Sequence, residues 1–314
     1  MSYQYKASKK NQEGVVIVLA LFIVALVVAM AYTMMARLER DTRRTTLIYR
    51  DAQAENYAQG SLAWAIDKLR LDWEKKIPEQ VIDAIPIHSP EDTVNGFHIS
   101  STIYDMQARF NINTVNQADA ELALQRLMLL VSPTTQSQQA KELVKAILDW
   151  VGLGNPLNHY ADYYLHQPEP YRPAYKPMTS TSELLLIKGM TPALYHSLQP
   201  FITALPAETE INVQTASAEV LACLSPTLTL STARSIVEAR KQKPFLTLQQ
   251  FLSLDAVKGH AIKDSLLVVT SHYFLVETIV TIEKQRLVIY TLLERIPKDN
   301  KAVINIRWQS KGIW

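Results

Sequence analysis

The feature that most constrains the fold is an uncharged apolar run from Val15 to Ala36, which follows Gly14 directly. The run contains 22 residues, counted from position 15 to position 36, and a helix needs about 20 to cross the ~30 Å hydrocarbon core of a bilayer. In lipid, only a helix satisfies all the hydrogen-bonding groups of its backbone within one segment. The run therefore predicts a transmembrane helix over residues 15–36.

The same helix is predicted to continue beyond the membrane, because no proline occurs between Val15 and Ile77. Its apolar positions continue at Leu38, Ile48, Ala52, Leu62, Ile66, Leu69 and Trp73. The last four are spaced 4, 3 and 4 residues apart, which is typical of one buried helical face. Residues 37–76 are therefore predicted to form an amphipathic stalk with one buried apolar face.

Three interpretations of the N-terminus are open. A cleaved secretory signal would have a shorter apolar core and a small-residue cleavage site after it, whereas Ala29-Met30-Ala31 is followed by more apolar residues. A plain single-span anchor is the second interpretation. The third rests on the basic residues Lys9 and Lys10, then Gly14, then directly the helix. This junction resembles the type IV pilins and pseudopilins, and it implies that a prepilin peptidase removes residues 1–14 as a leader and leaves Val15 as the N-terminus.

Leu19 would be the fifth residue after that cleavage, where most pilins carry a glutamate. In that class the glutamate is understood to pair with the N-terminal amine of a neighbouring subunit, because an ionisable group at membrane depth is costly unless it is paired. A subunit at the tip of a filament has no subunit above it, so an apolar residue makes physical sense there. Lack of the glutamate is typical of one minor pseudopilin, the K protein of type II secretion.

Beyond the stalk the hydrophobic period changes twice. Alternation predicts strands at 97–103, 274–283, 286–295 and 302–308, with a tight turn at Lys284-Gln285. Between them a period of 3.6 predicts short helices, with starts at Asn116, Ser217, Thr247 and a capping box of Ser180 and Glu183. The predicted fold class is α+β: a pilin-like domain of residues 77–113 and 271–314, in which the long N-terminal helix packs on an antiparallel sheet, with an all-α insertion at 114–270.

Several segments resemble the K family in the same order. They are 106–113, Asp149-Trp150, 162–165, Tyr171-Arg172, 182–189 and 211–218. This resemblance runs from Gly14 almost to the C-terminus and implies a minor pseudopilin at the tip of the type II secretion pseudopilus, which initiates or caps assembly and supports export of folded proteins across the outer membrane. It also implies an inner-membrane location with the C-terminal domain in the periplasm. The implied partners are the minor pseudopilins I and J, other pseudopilins, the prepilin peptidase and inner-membrane lipid. The stalk would then pack both on its own sheet and on partner stalks, and the residues predicted to meet partner stalks are Leu38, Ile48, Leu62, Ile66, Leu69 and Trp73.

Catalytic motifs are absent from the sequence. The seven histidines include no pair at metal-ligand spacing, and no P-loop, G-x-S-x-G or G-x-G-x-x-G occurs. Cys223 is the only cysteine, and its apolar neighbours predict a buried, inert thiol. The sequence therefore predicts a protein that is not an enzyme and has no catalytic residues.

Calcium is the closest candidate for a cofactor, since K family members resemble calcium binders that use acidic loops in the helical insertion. Ca²⁺ takes six to eight oxygen ligands, several of them carboxylate. Asp149 and Asp162 are candidate ligands, but the loop between them contains no acidic residue. Asn155, Asn158 and backbone carbonyls could complete a weak site; the alternative is that both aspartates are caps or turn residues. No cofactor is predicted.

The alternative function is that of a membrane-anchored DNA-binding protein. Residues 211–222 and 233–241 resemble the helix–hairpin–helix modules of competence DNA receptors, which hold phosphate on backbone N–H groups at a Gly-rich hairpin. Here Ser225–Leu230 contains no glycine, which hinders close approach of the backbone. The basic residues Arg234, Arg240, Lys241 and Lys243 are interrupted by Glu238, and a net charge of +2 gives no general argument for nucleic acid. The sequence therefore favours a resemblance of fold alone.

Overall fold

The computed structural model describes residues 12–75, 86–152, 160–298 and 300–312. Its longest element is helix α1 (Gln12–Lys75), which has 64 residues and is roughly 95 Å long at about 1.5 Å per residue. The chain divides into two compact units, one ending at Asn56 and the other beginning at Tyr57. The long N-terminal helix expected from the apolar run and the proline-free stalk is therefore confirmed.

The second unit contains the antiparallel sheet that the alternating segments predict. The strands of the chain are β1 (Ile87–His88), β2 (Asp92–Val94), β3 (Phe97–Asp105), β4 (Phe110–Asn111), β5 (Ile202–Thr203), β6 (Ile211–Asn212), β7 (Leu267–Val268), β8 (Tyr273–Ile282), β9 (Gln285–Lys298) and β10 (Lys301–Lys311). The sheet has the order β1-β3-β8-β9-β10, and β2 also pairs with β3. Strands β3 and β8 are therefore direct neighbours, although the helical region separates them in sequence.

The part of α1 that belongs to the second unit packs on one face of this sheet. The buried cluster consists of Leu62, Ala65, Leu69, Ile87, Ile103, Phe274, Val276 and Leu293. Polar groups in the same layer are paired, since Ser101 Oγ lies 2.7 Å from both Ser61 Oγ and Thr278 Oγ1. Burying one leucine side chain contributes about 1.5–3 kcal/mol, so the apolar stripe of α1 is sufficient to hold this part of the helix on the sheet.

Between β3 and β8 the chain forms short helices with an apolar core of their own. They are α2 (Ala118–Val131), α3 (Ser137–Trp150), α4 (Ala161–Leu165), α5 (Pro192–Leu198), α6 (Ala218–Cys223), α7 (Leu230–Gln242) and α8 (Leu248–Leu252). The hydroxyls of Ser217 and Thr247 cap α6 and α8 as predicted. The predicted capping box of Ser180 and Glu183 is also present, but the helix it opens is a 3₁₀ helix.

Two local predictions were wrong. Helix α2 has Gln117 at its N-cap position with no side-chain cap, because the N–H of Gln117 donates to Thr114 O at 3.1 Å and the preceding turn extends past Asn116. The hairpin turn lies at Glu283-Lys284 instead of Lys284-Gln285, because Gln285 already pairs with Ile282. Glu283 has a φ of 51°, as two-residue hairpin loops require at their first position.

The helical region consists of two halves with the same arrangement, the first half at 110–203 and the second half at 211–268. Each half begins with a two-residue strand that pairs in parallel with the strand at its end, β4 with β5 and β6 with β7. In each, the sequence Ser-Pro-Thr follows a helix, at 132–134 after α2 and at 225–227 in the link from α6 to α7. The insertion therefore has the architecture of an internal repeat.

Equivalent amide side chains close both halves. Asn113 donates to the carbonyl oxygens of Met178 and Leu205 at 2.9 and 2.8 Å and accepts from the N–H of Met178 at 2.8 Å. Gln214 likewise donates to the carbonyl oxygen of Phe245 and accepts from its N–H at 3.2 Å. Met178 and Phe245 each follow a Lys-Pro pair. We call these two contacts the amide clamps.

Candidate membrane and assembly sites

The predicted processing residues lie on the first turns of α1. Gly14 and Val15 are both helical and exposed, whereas the leader residues 1–11 lie outside the described part of the chain. An ideal Cβ on Gly14 would meet none of the described atoms within 4 Å, so packing against the described residues does not explain this glycine. Within the described residues, one helix is long and apolar enough to cross a membrane, and it is α1.

Leu19 lies on this apolar helix with 57% of its surface exposed. The first acidic residue after Gly14 is Glu39, which is 20 residues beyond Leu19 and therefore about 30 Å further along the helix. Once residues 1–14 are removed, as the pilin-like junction predicts, no carboxylate of the same helix can replace a glutamate at the position of Leu19, because Glu13 leaves with the leader. The anchor segment is electrically neutral along its full length.

The six residues predicted to meet partner stalks fall into two groups. Four lie in the second unit, where Leu62 and Leu69 are buried in the core under the sheet, Ile66 is partly buried against the same core, and the Trp73 ring lies 5.0 Å from the Arg295 guanidinium. The other two, Leu38 and Ile48, are 65% and 61% exposed in the first unit. Leu38 and Ile48 are therefore the members of the set whose side chains remain accessible for another helix.

A buried carboxylate that the sequence did not single out lies where the sheet meets the helical region. Asp105, the last residue of β3, accepts hydrogen bonds through Oδ2 from Thr215 Oγ1 at 2.5 Å, Ser271 Oγ at 2.6 Å and Asn212 Nδ2 at 3.3 Å. Its Oδ1 accepts from the N–H of Gln107 at 2.8 Å. Desolvation raises the pKa of Asp105, and the hydrogen-bond donors oppose that shift. Asp105 thus ties the end of β3 to both the start and the end of the second half.

Arg295 extends this junction towards α1. Its Nη2 donates to Ser271 O at 2.6 Å, and its guanidinium lies 4.8 Å from the Phe274 ring. Desolvation lowers the pKa of Arg295 to about 10, and the charge of Asp105 opposes that shift. A cation packed between two aromatic rings and opposite a buried carboxylate fixes the relative position of α1, the sheet and the insertion within the second unit.

Of the candidate calcium ligands, Asp149 and Asp162 lie in the described part of the chain. Asp149 is buried and its Oδ2 accepts from the N–H of Tyr160 at 3.1 Å, whereas Asp162 is exposed in the first turn of α4. Asn155 and Asn158 lie outside the described residues. In the parts of the chain that the structure describes, no three His, Cys, Asp or Glu side chains are grouped closely enough to hold a metal ion.

The segment that resembles a DNA-binding hairpin has its polar groups engaged within the chain. At the start of α7, the hydroxyl of Thr229 accepts from the N–H of Thr232, and in the hairpin the hydroxyl of Ser225 accepts from the N–H of Thr227. Arg240 is buried and donates to Val213 O at 2.8 Å; desolvation lowers its pKa to about 10. The N–H groups of Thr227 and Thr232 and the guanidinium of Arg240 thus have structural roles here, whereas Arg234 is exposed.

Cys223 is buried in α6, as predicted. Its Sγ donates to Val220 O at 3.1 Å, and desolvation raises the pKa of the thiol to about 12. A thiol with so high a pKa carries almost no thiolate at neutral pH, which makes it a poor nucleophile.

Comparisons with known proteins agree with this architecture. Two family profiles described as "Type II secretion system (T2SS), protein K" match residues 108–207 and 211–270, and the boundary between them falls between the two structural halves. Type II secretion system protein K of Klebsiella pneumoniae is 32% identical over 264 residues, which cover 79% of this chain and 81% of the relative. The protein of the same name from Pseudomonas aeruginosa is 27% identical over 319 residues, covering 97% and 95%.

A solved structure has the same fold. A chain in the crystal structure of the GspK-GspI-GspJ complex from the type 2 secretion system of enterotoxigenic Escherichia coli matches with a TM-score of 0.71 at 21% identity, covering 86% of this chain and 100% of that chain. The match supports the combination of a long N-terminal helix, an antiparallel sheet and a helical insertion.

Proposed function

Because the chain belongs to the protein K family of type II secretion systems, which are minor pseudopilins, we propose that it occupies the tip of the pseudopilus. There it initiates or caps assembly of the filament and supports export of folded proteins across the outer membrane. The family and the fold support the general role, and the residues of α1 support the position at the tip.

Leu19 is the observation that carries this proposal. A pseudopilin inside the filament needs a carboxylate at the fifth mature position to neutralise the amine of its neighbour, because an unpaired charge in hydrocarbon is costly. This chain has Leu19 there and no acidic residue between Val15 and Glu39. A subunit with its own amine but no carboxylate can join a neighbour on one side only, which is the requirement for the end of a filament.

The proposed partners are the minor pseudopilins I and J, together with other pseudopilins along the stalk. The structural neighbour comes from a complex of GspK with GspI and GspJ, which supports the same partnership here. In the first unit, the exposed Leu38 and Ile48 offer apolar contacts to neighbouring helices. Residues 15–36 anchor the protein in the inner membrane with a single span, and the C-terminal domain lies in the periplasm.

Processing by the prepilin peptidase after Gly14 is part of the same proposal, and no catalytic role is proposed for the chain itself. The N-terminal mass of the protein, expressed with and without an active peptidase, tests this step. We expect a species that starts at Val15 only when the peptidase is active. An intact chain, or a cut near Ala31, would contradict processing as a pseudopilin.

The position at the tip is tested separately with Leu19→Glu. We expect this variant to be incorporated along the shaft, as seen by immunogold labelling of assembled pseudopili, because the added carboxylate lets it bind a further subunit. Phe22→Glu is the matched control, since it adds a carboxylate about one helical turn away but not at the fifth mature position. If Leu19→Glu is still found only at filament ends, the explanation from charge pairing is wrong.

A further inference from the structure

Three arginines follow the apolar run on one side of α1. Arg37, Arg40 and Arg44 are all exposed, and at about 100° per residue they lie within roughly 60° of the helix circumference. Arg37 comes directly after Ala36, and Arg44 comes 8 residues after Ala36. The three side chains therefore start within about 12 Å of the end of the apolar run. We call Arg37, Arg40 and Arg44 the arginine stripe.

These side chains are directed back towards the apolar run. In an α-helix every Cα–Cβ bond tilts towards the N-terminus, which here is the membrane end. Arg40 shows this directly, because its Nε donates to the carbonyl oxygen of Ala36 at 3.0 Å. The guanidinium of Arg40 thus lies at the level where the apolar run ends, and the N–H donors of its two Nη groups remain for an acceptor outside the helix.

Within the described residues, no side chain forms an ion pair with the stripe. Asp41 lies on the same side of the helix, within about 60° of Arg37 and Arg44, and lowers the net positive charge of this side. The nearest ion pair joins Arg43 Nη2 to Glu39 Oε1 at 2.6 Å, and Arg43 lies about 60° from Arg40 around the helix. No carboxylate of the described chain lies within 4.0 Å of a nitrogen of Arg37, Arg40 or Arg44. The segment therefore contains one arginine whose charge is paired and three whose charges face outwards.

We propose that the arginine stripe binds the phosphate groups of anionic phospholipids in the leaflet where the apolar run ends. This inference rests on the proposed anchoring of residues 15–36 in a bilayer. The headgroup layer extends about 5–7 Å beyond the hydrocarbon core, so Arg37 and Arg40 start within it and the long side chain of Arg44 reaches back to it. A guanidinium binds phosphate through parallel N–H···O bonds.

Such a site has a mechanical role for the anchor. Each basic residue at an anionic surface strengthens binding by about fivefold, or about 1 kcal/mol. Three arginines acting together fix the depth and rotation of α1 in the bilayer, because all three lie on one side of the helix. Transfer of the helix from the membrane into a filament then requires the release of these headgroups.

The test uses the full-length protein, purified and reconstituted alone in phosphatidylcholine vesicles with a minor fraction of phosphatidylglycerol. Electron paramagnetic resonance of spin-labelled lipids measures how strongly phosphatidylglycerol is preferred over phosphatidylcholine next to the protein. We expect a several-fold preference for the wild type. The preference should fall by about twofold or more in the triple variant Arg37→Gln/Arg40→Gln/Arg44→Gln, and Lys6, Lys9 and Lys10 of the leader account for the preference that remains. Arg40→Lys, which keeps the charge but loses the Nε–H, should lie between the triple variant and the wild type.

Arg43→Gln is the matched control, because it removes the same charge from the same turn but from the arginine that pairs with Glu39. It should keep the preference of the wild type. A triple variant that retains the full preference, or an Arg43→Gln variant that loses as much as the triple variant, would overturn the proposal. Alkaline carbonate extraction of the vesicles distinguishes failure of the membrane anchor from failure of the lipid site. Release of the wild type contradicts the anchoring by residues 15–36, whereas retention without lipid preference contradicts only binding of phosphate by the arginine stripe.

Discussion

Replacing Asn113 with alanine removes the amide clamp of the first half. Its side chain makes three hydrogen bonds of 2.8–2.9 Å to the backbone of Met178 and Leu205, and the residue is buried. Alanine leaves one N–H and two carbonyl groups without partners in a site that water does not reach. The first half depends on this contact because it holds the segment around Met178 and Leu205, which follows β5, against the 3₁₀ turn at residues 112–114.

The magnitude follows from the three groups that lose a partner. A buried polar group left unpaired costs about 1–3 kcal/mol, so three of them, with partial relaxation, give a loss of about 3–5 kcal/mol in the free energy of unfolding. Native proteins have only about 5–15 kcal/mol in total. For a unit of this size each kcal/mol lowers Tm by about 2–4 °C, which corresponds to a drop on the order of 10 °C.

Thermal unfolding of the full-length protein in detergent, followed by tryptophan fluorescence, measures this effect, because Trp150 is buried in the core of the first half. Asn116→Ala is the matched control, since this exposed asparagine lies three residues further on and should change stability by less than about 0.5 kcal/mol. Asn113→Asp would place a carboxylate oxygen where the amide nitrogen now donates to two carbonyl oxygens. This repulsion should raise the pKa of the new carboxyl group. Because the protonated carboxyl can again donate to a carbonyl, the variant should recover stability relative to the wild type as the pH falls. A Tm of Asn113→Ala within 1–2 °C of the wild type, on the scale of about 2–4 °C per kcal/mol, would refute the reasoning.

Other parts of the chain give further tests. Leu69→Ala should lower the free energy of unfolding by about 3–5 kcal/mol because the side chain is buried under the sheet, whereas the exposed Ile48→Ala should change it by less than about 0.5 kcal/mol; urea titration compares them. The thiol of Cys223, whose pKa is about 12, should resist alkylation by iodoacetamide at about pH 8 until the protein unfolds, and rapid modification of the folded chain would contradict its burial. Burial raises the pKa of the Asp105 carboxyl above its ordinary value of 3.8, so the folded chain binds this proton more tightly than the unfolded chain. The contribution of this proton to the free energy of unfolding is therefore largest below pH 3.8 and disappears as the pH rises through the raised pKa. Asp105→Asn should abolish that part of the pH dependence in urea titrations at several pH values, and an unchanged slope would assign it to other groups. Filter binding with duplex DNA should detect only weak retention that disappears with salt; tight binding that Arg234→Gln weakens would favour the DNA-binding alternative.

The large elements were predictable because their signals are long and local. The apolar run and the proline-free stalk predicted α1, and the return of alternation after residue 271 predicted the hairpin of β8 and β9. Caps such as Ser217 were identified because the hydroxyl acts on an N–H three residues away. The prediction for Asn116 was wrong because a 3₁₀ turn just before it uses the backbone in another way, which residue type alone does not show.

The junction around Asp105 was not predictable from local patterns. Asp105 and Thr215, which donates to it, are 110 residues apart in sequence, and no periodicity links them. The internal repeat left a signal in the two Ser-Pro-Thr segments and the two Lys-Pro pairs. The two copies of this pattern do not align at a constant spacing. Residues 151–175 separate α3 from its Lys-Pro pair, whereas α7 is followed by its own pair directly.

The strand pairing at the base of the insertion has a consequence for how this chain can be altered. Asp105 is paired directly with Phe274 in the sheet, so the chain leaves the sheet and rejoins it at neighbouring positions. We expect that such a segment can be exchanged as one piece while the strand order of the sheet stays the same. Joining β3 to β8 through a two-residue turn would remove the donors Thr215, Ser271 and Asn212 of Asp105, so a minimal scaffold without the insertion would need Asp105 replaced as well. A different folded module could then be grafted at the same site.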